Sequence, residues 1–382
     1  MLLTLLRYPS FYLAFPMIIA LTGMIASFEL SIDVLGGILF FAIAAVAIVA
    51  LDFILGVRLP QLQSFQGMDF SGTRQGLVAV LLCWLVAAFC VIDLTAFPIP
   101  LIVDPSSYAT FDGGRNHIRH ISNLSWLLPP LALLCFKSRA VRIALITMGL
   151  IFPLLVIDRN RLFAALFSLV LTFVLQRKKS PLHSWKVIAP LLLAGLAVFS
   201  LLGAIRSGTL DGLALPLSGF FQNSPEGVKW LLLYVSAGVY NFSCIMAKGY
   251  HNASFLYAQL IPFDGSAETL GTDIPLDAPT INVGTEFFPF LMALGWGGAM
   301  LSVLALYGML LWSIVLLRDD IAVWRFLIFL RIAYVSIMSP FAPQAFTWTN
   351  FGFVAICLTI PIIAHFLPER TAEGGLIRDD GR

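Results

Sequence analysis

Long apolar runs separated by short polar segments fill most of the chain. A helix that spans a bilayer needs about 20 mostly apolar residues, within a range of roughly 17–25. The runs therefore predict an all-α, polytopic integral membrane protein with about ten transmembrane helices. The predicted spans are residues 10–28, 34–56, 75–97, 121–136, 141–157, 160–176, 187–205, 284–317, 321–338 and 350–367.

These spans predict one membrane domain over residues 1–367. Residues 368–382 contain Pro368 and a Gly-Gly pair and are expected to form a disordered tail. The first apolar run follows Arg7 and has no small-residue cleavage site after it. We therefore expect a retained first helix rather than a signal peptide.

The composition also argues against a soluble protein. Hydrophobic residues make up 59% of the chain and charged residues 12%, about half the charged fraction of a typical soluble domain. The five cysteines all lie in apolar runs without CxxC spacing, so neither a metal site nor a disulfide framework is expected. No Walker loop, dinucleotide-binding glycine motif, HExxH or GxSxG is present. We expect no cofactor and no nucleic-acid partner.

Basic residues between the runs predict the orientation, because short loops rich in Lys and Arg stay in the cytoplasm. The loops 137–142 and 177–186 are strongly basic. They fall on the same side if Asp158–Arg161 forms a tight turn on the other side. Counting the predicted spans from these two loops toward each end of the chain places both termini in the cytoplasm. The segments 206–283 and 339–349 then lie outside.

The apolar run 230–247 lies inside that outer segment. If it crossed the membrane, residues 248–283 would be cytoplasmic with one lysine against four acids. The positive-inside rule therefore predicts a segment that re-enters or packs on the protein without crossing. Its polar interior, 234–243, is expected to include non-helical backbone lining a cavity. The run 284–317 would be about 50 Å long as one helix, and Gly295–Gly298 is the predicted break.

Three outer-face arginines are candidates for anion binding: Arg159, Arg161 and Arg206. Guanidinium groups make paired hydrogen bonds to phosphate and keep their charge. Positive-inside statistics disfavour arginine at the outer face, so the set favours a functional pocket. The alternative for any one of them is contact with lipid headgroups.

Three further residues are candidates on the grounds of position. Arg331 lies about 16 Å into its predicted helix, where a charge is costly and usually faces a cavity or a partner. The alternative is a structural pair with a carboxylate such as Asp52 or Asp93. Glu286 could be a general base, a partner for an arginine or an interfacial residue. His251 could be a base or have no role.

Three stretches resemble the O-antigen polymerases of the Wzy type, also called oligosaccharide repeat unit polymerases. Residues 282–300 resemble that family's Asn-x-x-Thr…Gly-x-x-Gly segment. Residues 158–166 resemble its Arg-x-x-Leu helix start, and residues 234–241 its Tyr-x-x-Gly…Asn stretch. The chain departs from the family at Leu294, where an acid is common. It has Ile281 where the related O-antigen ligases have histidine, which favours a polymerase over a ligase.

The resemblance implies a GT-C-like glycosyltransferase at the periplasmic face of a bacterial inner membrane. It would join undecaprenyl-diphosphate-linked glycans, as donor and acceptor, into O-antigen of lipopolysaccharide or a related polysaccharide. A chain-length regulator in the same membrane is a further implied partner. The rival functions are an O-antigen ligase with lipid A–core as acceptor, and a non-catalytic flippase.

The resemblance also implies roles for individual residues, with no metal required. Glu286 or His251 would be the catalytic base. The substrate-binding candidates are Arg159, Arg161, Arg206, Arg331, Asn282, Thr285, Tyr234 and Asn241.

Overall fold

The computed structural model describes residues 2–103, 115–176, 210, 215–261, 274–277, 281 and 283–368, together with positions 190, 195 and 197. Within these ranges every regular element is a helix, and one isolated antiparallel bridge joins Phe28 to Leu217. The helices are α1 (Leu2–Leu5), α2 (Pro9–Ser27), α3 (Ile32–Leu55), α4 (Arg74–Ala96), α5 (Pro100–Val103), α6 (Arg115–Ser122), α7 (Leu128–Cys135), α8 (Arg139–Leu155), α9 (Arg159–Gln176), α10 (Gly219–Gln222), α11 (Glu226–Lys248), α12 (Ser254–Leu260), α13 (Phe288–Asp319), α14 (Val323–Met338) and α15 (Trp348–His365).

The described residues contain seven helical stretches that are long and apolar enough to cross a membrane. They are Pro9–Ser27, Ile32–Leu55, Arg74–Val103, Arg159–Gln176, Glu226–Lys248, Phe288–Asp319 and Trp348–His365. The prediction of an all-helical, membrane-embedded protein is therefore confirmed. Two other predicted spans form shorter helices, α8 with 17 residues and α14 with 16. The predicted span 187–205, the basic loop 177–186 and the tail from residue 369 lie outside the described residues.

The prediction of one continuous α-helix over 121–136 is wrong. The chain there forms the end of α6, a 3₁₀ helix over Asn123–Leu127, and the 8-residue helix α7. Pro129 and Pro130 lie at the start of α7. Proline lacks an N–H and clashes with the preceding turn, so an α-helix does not continue through such a pair from its N-terminal side.

The predicted non-helical interior of 230–247 is also wrong. Helix α11 runs unbroken for 23 residues and ends at Gly249, whose φ of 59° lies in the left-handed region. Its internal hydroxyls bond back along the helix: Ser236 Oγ donates to Leu232 O at 2.6 Å, and Ser243 Oγ donates to Val239 O at 2.8 Å. The polar residues thus reflect close helix packing rather than an irregular backbone.

Glycines let α2 and α3 approach α11 closely. A Cβ built on Gly23 of α2 would lie 2.7 Å from Val235 Cγ1, and one on Gly37 of α3 would lie 1.9 Å from Ser243 Oγ. Such close approach through small residues is a common basis of helix packing inside membranes. The three helices pack together as one bundle.

The predicted break in the long run at 284–317 is confirmed. Helix α13 contains Gly295 in a non-helical conformation, with φ 68° and ψ −163°. This region of backbone space is essentially restricted to glycine. The helix is thereby divided into two shorter segments.

The chain divides into two compact units. The first unit comprises residues 1–61, 196–320 and 328–354, and the second comprises 62–195, 321–327 and 355–382. An aromatic cluster of Phe40, Phe41, Phe242 and Phe287 lies in the core of the first unit. In the second unit, α7 packs against α4, α8 and α9.

Candidate functional site

Glu286 anchors a turn in the first unit. It lies just before α13 and is fully buried. Its carboxylate accepts hydrogen bonds from three consecutive backbone N–H groups: Gln344 and Ala345 donate to Oε2, the latter at 2.7 Å, and Phe346 donates to Oε1 at 2.9 Å. The Glu286 N–H donates to Ser339 O at 2.7 Å. The carboxylate thus fixes the segment that joins α14 to α15.

The sequence explains why this segment offers its N–H groups to a side chain. Pro340 and Pro343 prevent α14 from continuing through the turn. The N–H groups of residues 344–346 precede α15, so they have no partner within a helix. Successive backbone N–H groups in such a turn form a concave site that favours an anion. Glu286 supplies that anion from elsewhere in the chain.

Arg331 of α14 lies beside this turn. Its Nε donates to Asn350 Oδ1 at 2.9 Å, and its charge interacts with the carboxylate of Glu286. Asp52, one of the two carboxylates named for a structural pair with Arg331, instead pairs with Arg58 at 2.6 Å and accepts from Ser10 Oγ at 2.6 Å. The carboxylate whose charge acts on Arg331 is that of Glu286. Arg331 thus contacts Asn350 in the first turn of α15 and interacts with Glu286, which holds the segment before that helix.

Helix α11 packs against both segments of this site. Asn241 Nδ2 donates to the carbonyls of Ile281 and Val283, each at 2.8 Å. The ring of Tyr234 stacks on Phe341 with centroids 6.2 Å apart. Gly238 lies between Tyr234 and Asn241 along α11. A Cβ built on it would lie 2.7 Å from the carbonyl oxygen of Pro340 and 3.2 Å from Thr285 Cγ2. The absence of a side chain at this glycine permits the close contact.

Five of the predicted site residues therefore lie in one cluster, which we call the turn cluster: Tyr234, Asn241, Thr285, Glu286 and Arg331. Sequence reasoning missed its other polar members, which are Ser336, Ser339, Gln344 and Asn350. No motif spacing in the sequence links these polar residues to Glu286.

The turn cluster contains buried hydroxyl groups with unused hydrogen-bonding capacity. Thr285 Oγ1, Ser336 Oγ and Ser339 Oγ are all buried, and none has a hydrogen-bond partner within the described chain. A buried hydroxyl without a partner is costly. These groups can donate to or accept from the hydroxyls of a polar ligand.

Asp158 and Arg161 form the tip of the α8–α9 hairpin in the second unit. The predicted turn is confirmed, since α8 ends at Leu155 and α9 begins at Arg159. The Arg161 N–H donates to Asp158 Oδ1 at 3.0 Å, and its Nε donates to Oδ2 at 2.6 Å. Burial raises the pKa of Asp158, but the charge and hydrogen bonds of Arg161 outweigh it and leave that pKa below its ordinary value. An anion at Arg161 would therefore share the guanidinium with Asp158.

The remaining candidates are distributed as follows. His251 is exposed in the turn between α11 and α12, and makes no hydrogen bond or ion pair within the described chain. Arg159 is partly buried at the start of α9. Arg206 and Asn282 lie outside the described residues, so the predicted trio of arginines stays a prediction.

Comparisons with known proteins found no match to this chain among protein-family models, curated proteins or solved structures.

Proposed function

We propose that the protein is a membrane glycosyltransferase that polymerises undecaprenyl-diphosphate-linked repeat units into O-antigen or a related surface polysaccharide. One observation carries the proposal. The two stretches that resemble the Wzy-type family near residues 234–241 and 282–300 pack against each other in the turn cluster. An arginine, a carboxylate and three buried hydroxyls meet at the same place.

The chemistry that we propose is a single displacement. A hydroxyl oxygen of the acceptor glycan forms a bond to the anomeric carbon of the donor. The bond between that carbon and the diphosphate oxygen breaks, and undecaprenyl diphosphate leaves with the electron pair. The proton of the acceptor hydroxyl passes to a base. Guanidinium groups stabilise the developing negative charge most strongly where water is excluded.

Within this proposal the residues have different tasks. Arg331 binds the diphosphate, and the hydroxyls of Thr285, Ser336 and Ser339 bind sugar hydroxyls. Glu286 already accepts three backbone hydrogen bonds, so we assign it to holding the turn. His251, which is exposed, is then the remaining candidate for the base. The reaction takes place at the periplasmic face of an inner membrane, with both termini in the cytoplasm.

The test is reconstitution. Purified protein in proteoliposomes is mixed with lipid-linked repeat units extracted from the organism that encodes the chain. We expect a ladder of products on a gel, which Arg331→Ala abolishes. Arg139→Ala is the control, because Arg139 is exposed at the start of α8.

Each other outcome identifies a different function. Transfer of one glycan to added lipid A–core without a ladder would identify a ligase. Movement of the lipid-linked unit across the bilayer without any new glycosidic bond would identify a flippase. Either result rejects the polymerase proposal.

A further inference from the structure

Asn350 links Arg331 to the turn between α14 and α15. It lies in the first turn of α15 and is fully buried. Its Oδ1 accepts from Arg331 Nε at 2.9 Å, and its Nδ2 donates to the carbonyl oxygen of Ala345 at 2.8 Å. Its backbone N–H donates to Thr347 O at 3.0 Å. Both ends of the amide are thus committed, and its orientation is fixed by its neighbours.

A continuous chain of hydrogen bonds runs from this amide to Glu286. Ala345 donates its N–H to Glu286 Oε2 at 2.7 Å and accepts from Asn350 at its carbonyl oxygen. One backbone residue is therefore held from both sides. Three hydrogen bonds, of 2.7, 2.8 and 2.9 Å, link Glu286 to Arg331 through Ala345 and Asn350.

We propose that Asn350 is a positioning residue that sets the plane of the Arg331 guanidinium for the donor's diphosphate, with the turn held by Glu286 as its support. This inference rests on the proposed function. An arginine side chain has many rotamers, and ordering it costs conformational entropy. A hydrogen bond donated by Nε constrains the plane of the whole group, because the N–H lies in that plane. Asn350 thereby orders the arginine before the substrate binds.

The chemistry of the site requires an amide at position 350. One end must accept a hydrogen bond from Arg331, and the other must donate to Ala345. Aspartate would keep the acceptor but place a second oxygen against the Ala345 carbonyl, and it would add a negative charge beside Arg331. Alanine would remove both hydrogen bonds. Alanine therefore removes this constraint on the guanidinium, whereas aspartate keeps the hydrogen bond from Nε but competes with the diphosphate for the charge of Arg331.

The experiment measures turnover per folded protein in the reconstituted ladder assay for Asn350→Ala, Arg331→Lys and the double variant. We expect Asn350→Ala to reduce kcat/KM about tenfold to 10²-fold, as displaced reacting groups do. The double variant should be no slower than Arg331→Lys alone, because residues that act as one unit are not additive. Asn223→Ala is the matched control, since Asn223 is exposed and bonds only to its own helix through Nδ2, at 2.8 Å from Gly219 O.

The outcomes separate this inference from the proposed function. If the parental protein makes no ladder, the proposed function fails, and this role fails with it. If the parental protein makes a ladder and Asn350→Ala matches it per folded molecule, the positioning role alone is rejected. Multiplicative losses in the double variant would also reject it, because they would indicate that the two residues act independently. Thermal unfolding of each variant in detergent supplies the folded fraction for the normalisation.

Discussion

Replacing Glu286 tests whether the turn between α14 and α15 depends on one carboxylate. Glu286→Ala removes the acceptor of three buried N–H groups. Each buried donor that loses its partner costs about 1–3 kcal/mol. Water can enter the space left by the side chain and accept hydrogen bonds from some of these N–H groups. We therefore expect a loss of about 3–5 kcal/mol in the free energy of unfolding, the range for removing one partner of a buried charged pair.

Glu286→Gln should lower the free energy of unfolding less than Glu286→Ala does. The glutamine oxygen can replace Oε2 and keep the bonds from Gln344 and Ala345, but its amide group then meets the N–H of Phe346. One hydrogen bond is lost, which costs about 1–3 kcal/mol. Reversible denaturation in mixed micelles measures both variants. Glu29→Gln is the control, because Glu29 is exposed. A Glu286→Ala protein as stable as the control would show that the three hydrogen bonds do not hold the turn.

Three further predictions concern the first unit, and thermal unfolding in detergent tests each of them. Gly238→Ala should cost about 1–3 kcal/mol through overpacking, since its Cβ would meet a backbone carbonyl at 2.7 Å; an unchanged midpoint would contradict this contact. Gly295→Ala should cost about 1–3 kcal/mol because of its φ of 68°, whereas Gly297→Ala in the same helix meets open space and should not destabilise. Burial raises the pKa of Asp277, but its hydrogen bond from Lys248 leaves that pKa below the ordinary 3.8. Its contribution to stability is therefore present above pH 3.8 and lost as the pH falls through the lowered value, and Asp277→Asn should remove this acid sensitivity.

The bounds of a helix could be predicted closely from the sequence wherever the length of an apolar run determined them. The predicted span 10–28 corresponds to Pro9–Ser27, and 350–367 corresponds to Trp348–His365. In these stretches a run of apolar residues has few alternatives to a helix, because the backbone must satisfy its own hydrogen bonds in lipid.

Two of the failures, at 230–247 and at the turn cluster, arise from tertiary packing. In residues 230–247, small and polar residues suggested an irregular backbone, but they lie on a regular helix where α2 and α3 approach closely. A single sequence does not distinguish these two uses of glycine and serine. The turn cluster was only partly predicted for a related reason. Glu286 and Ala345 are far apart in the chain, and their contact depends on tertiary packing that no local pattern records.

The glycine contacts of α2 and α3 with α11 indicate which step of folding a substitution there would affect: the association of the helices and not their formation. Lipid offers no hydrophobic drive for helices to associate, so their association depends on packing and on hydrogen bonds between them. A bulky side chain at Gly37 would separate the helices while leaving the backbone hydrogen bonds of each one intact. The chain would still insert and keep its helical content. Because α11 also supports the turn cluster through Gly238 and Asn241, such a protein would be properly inserted and yet lack its site.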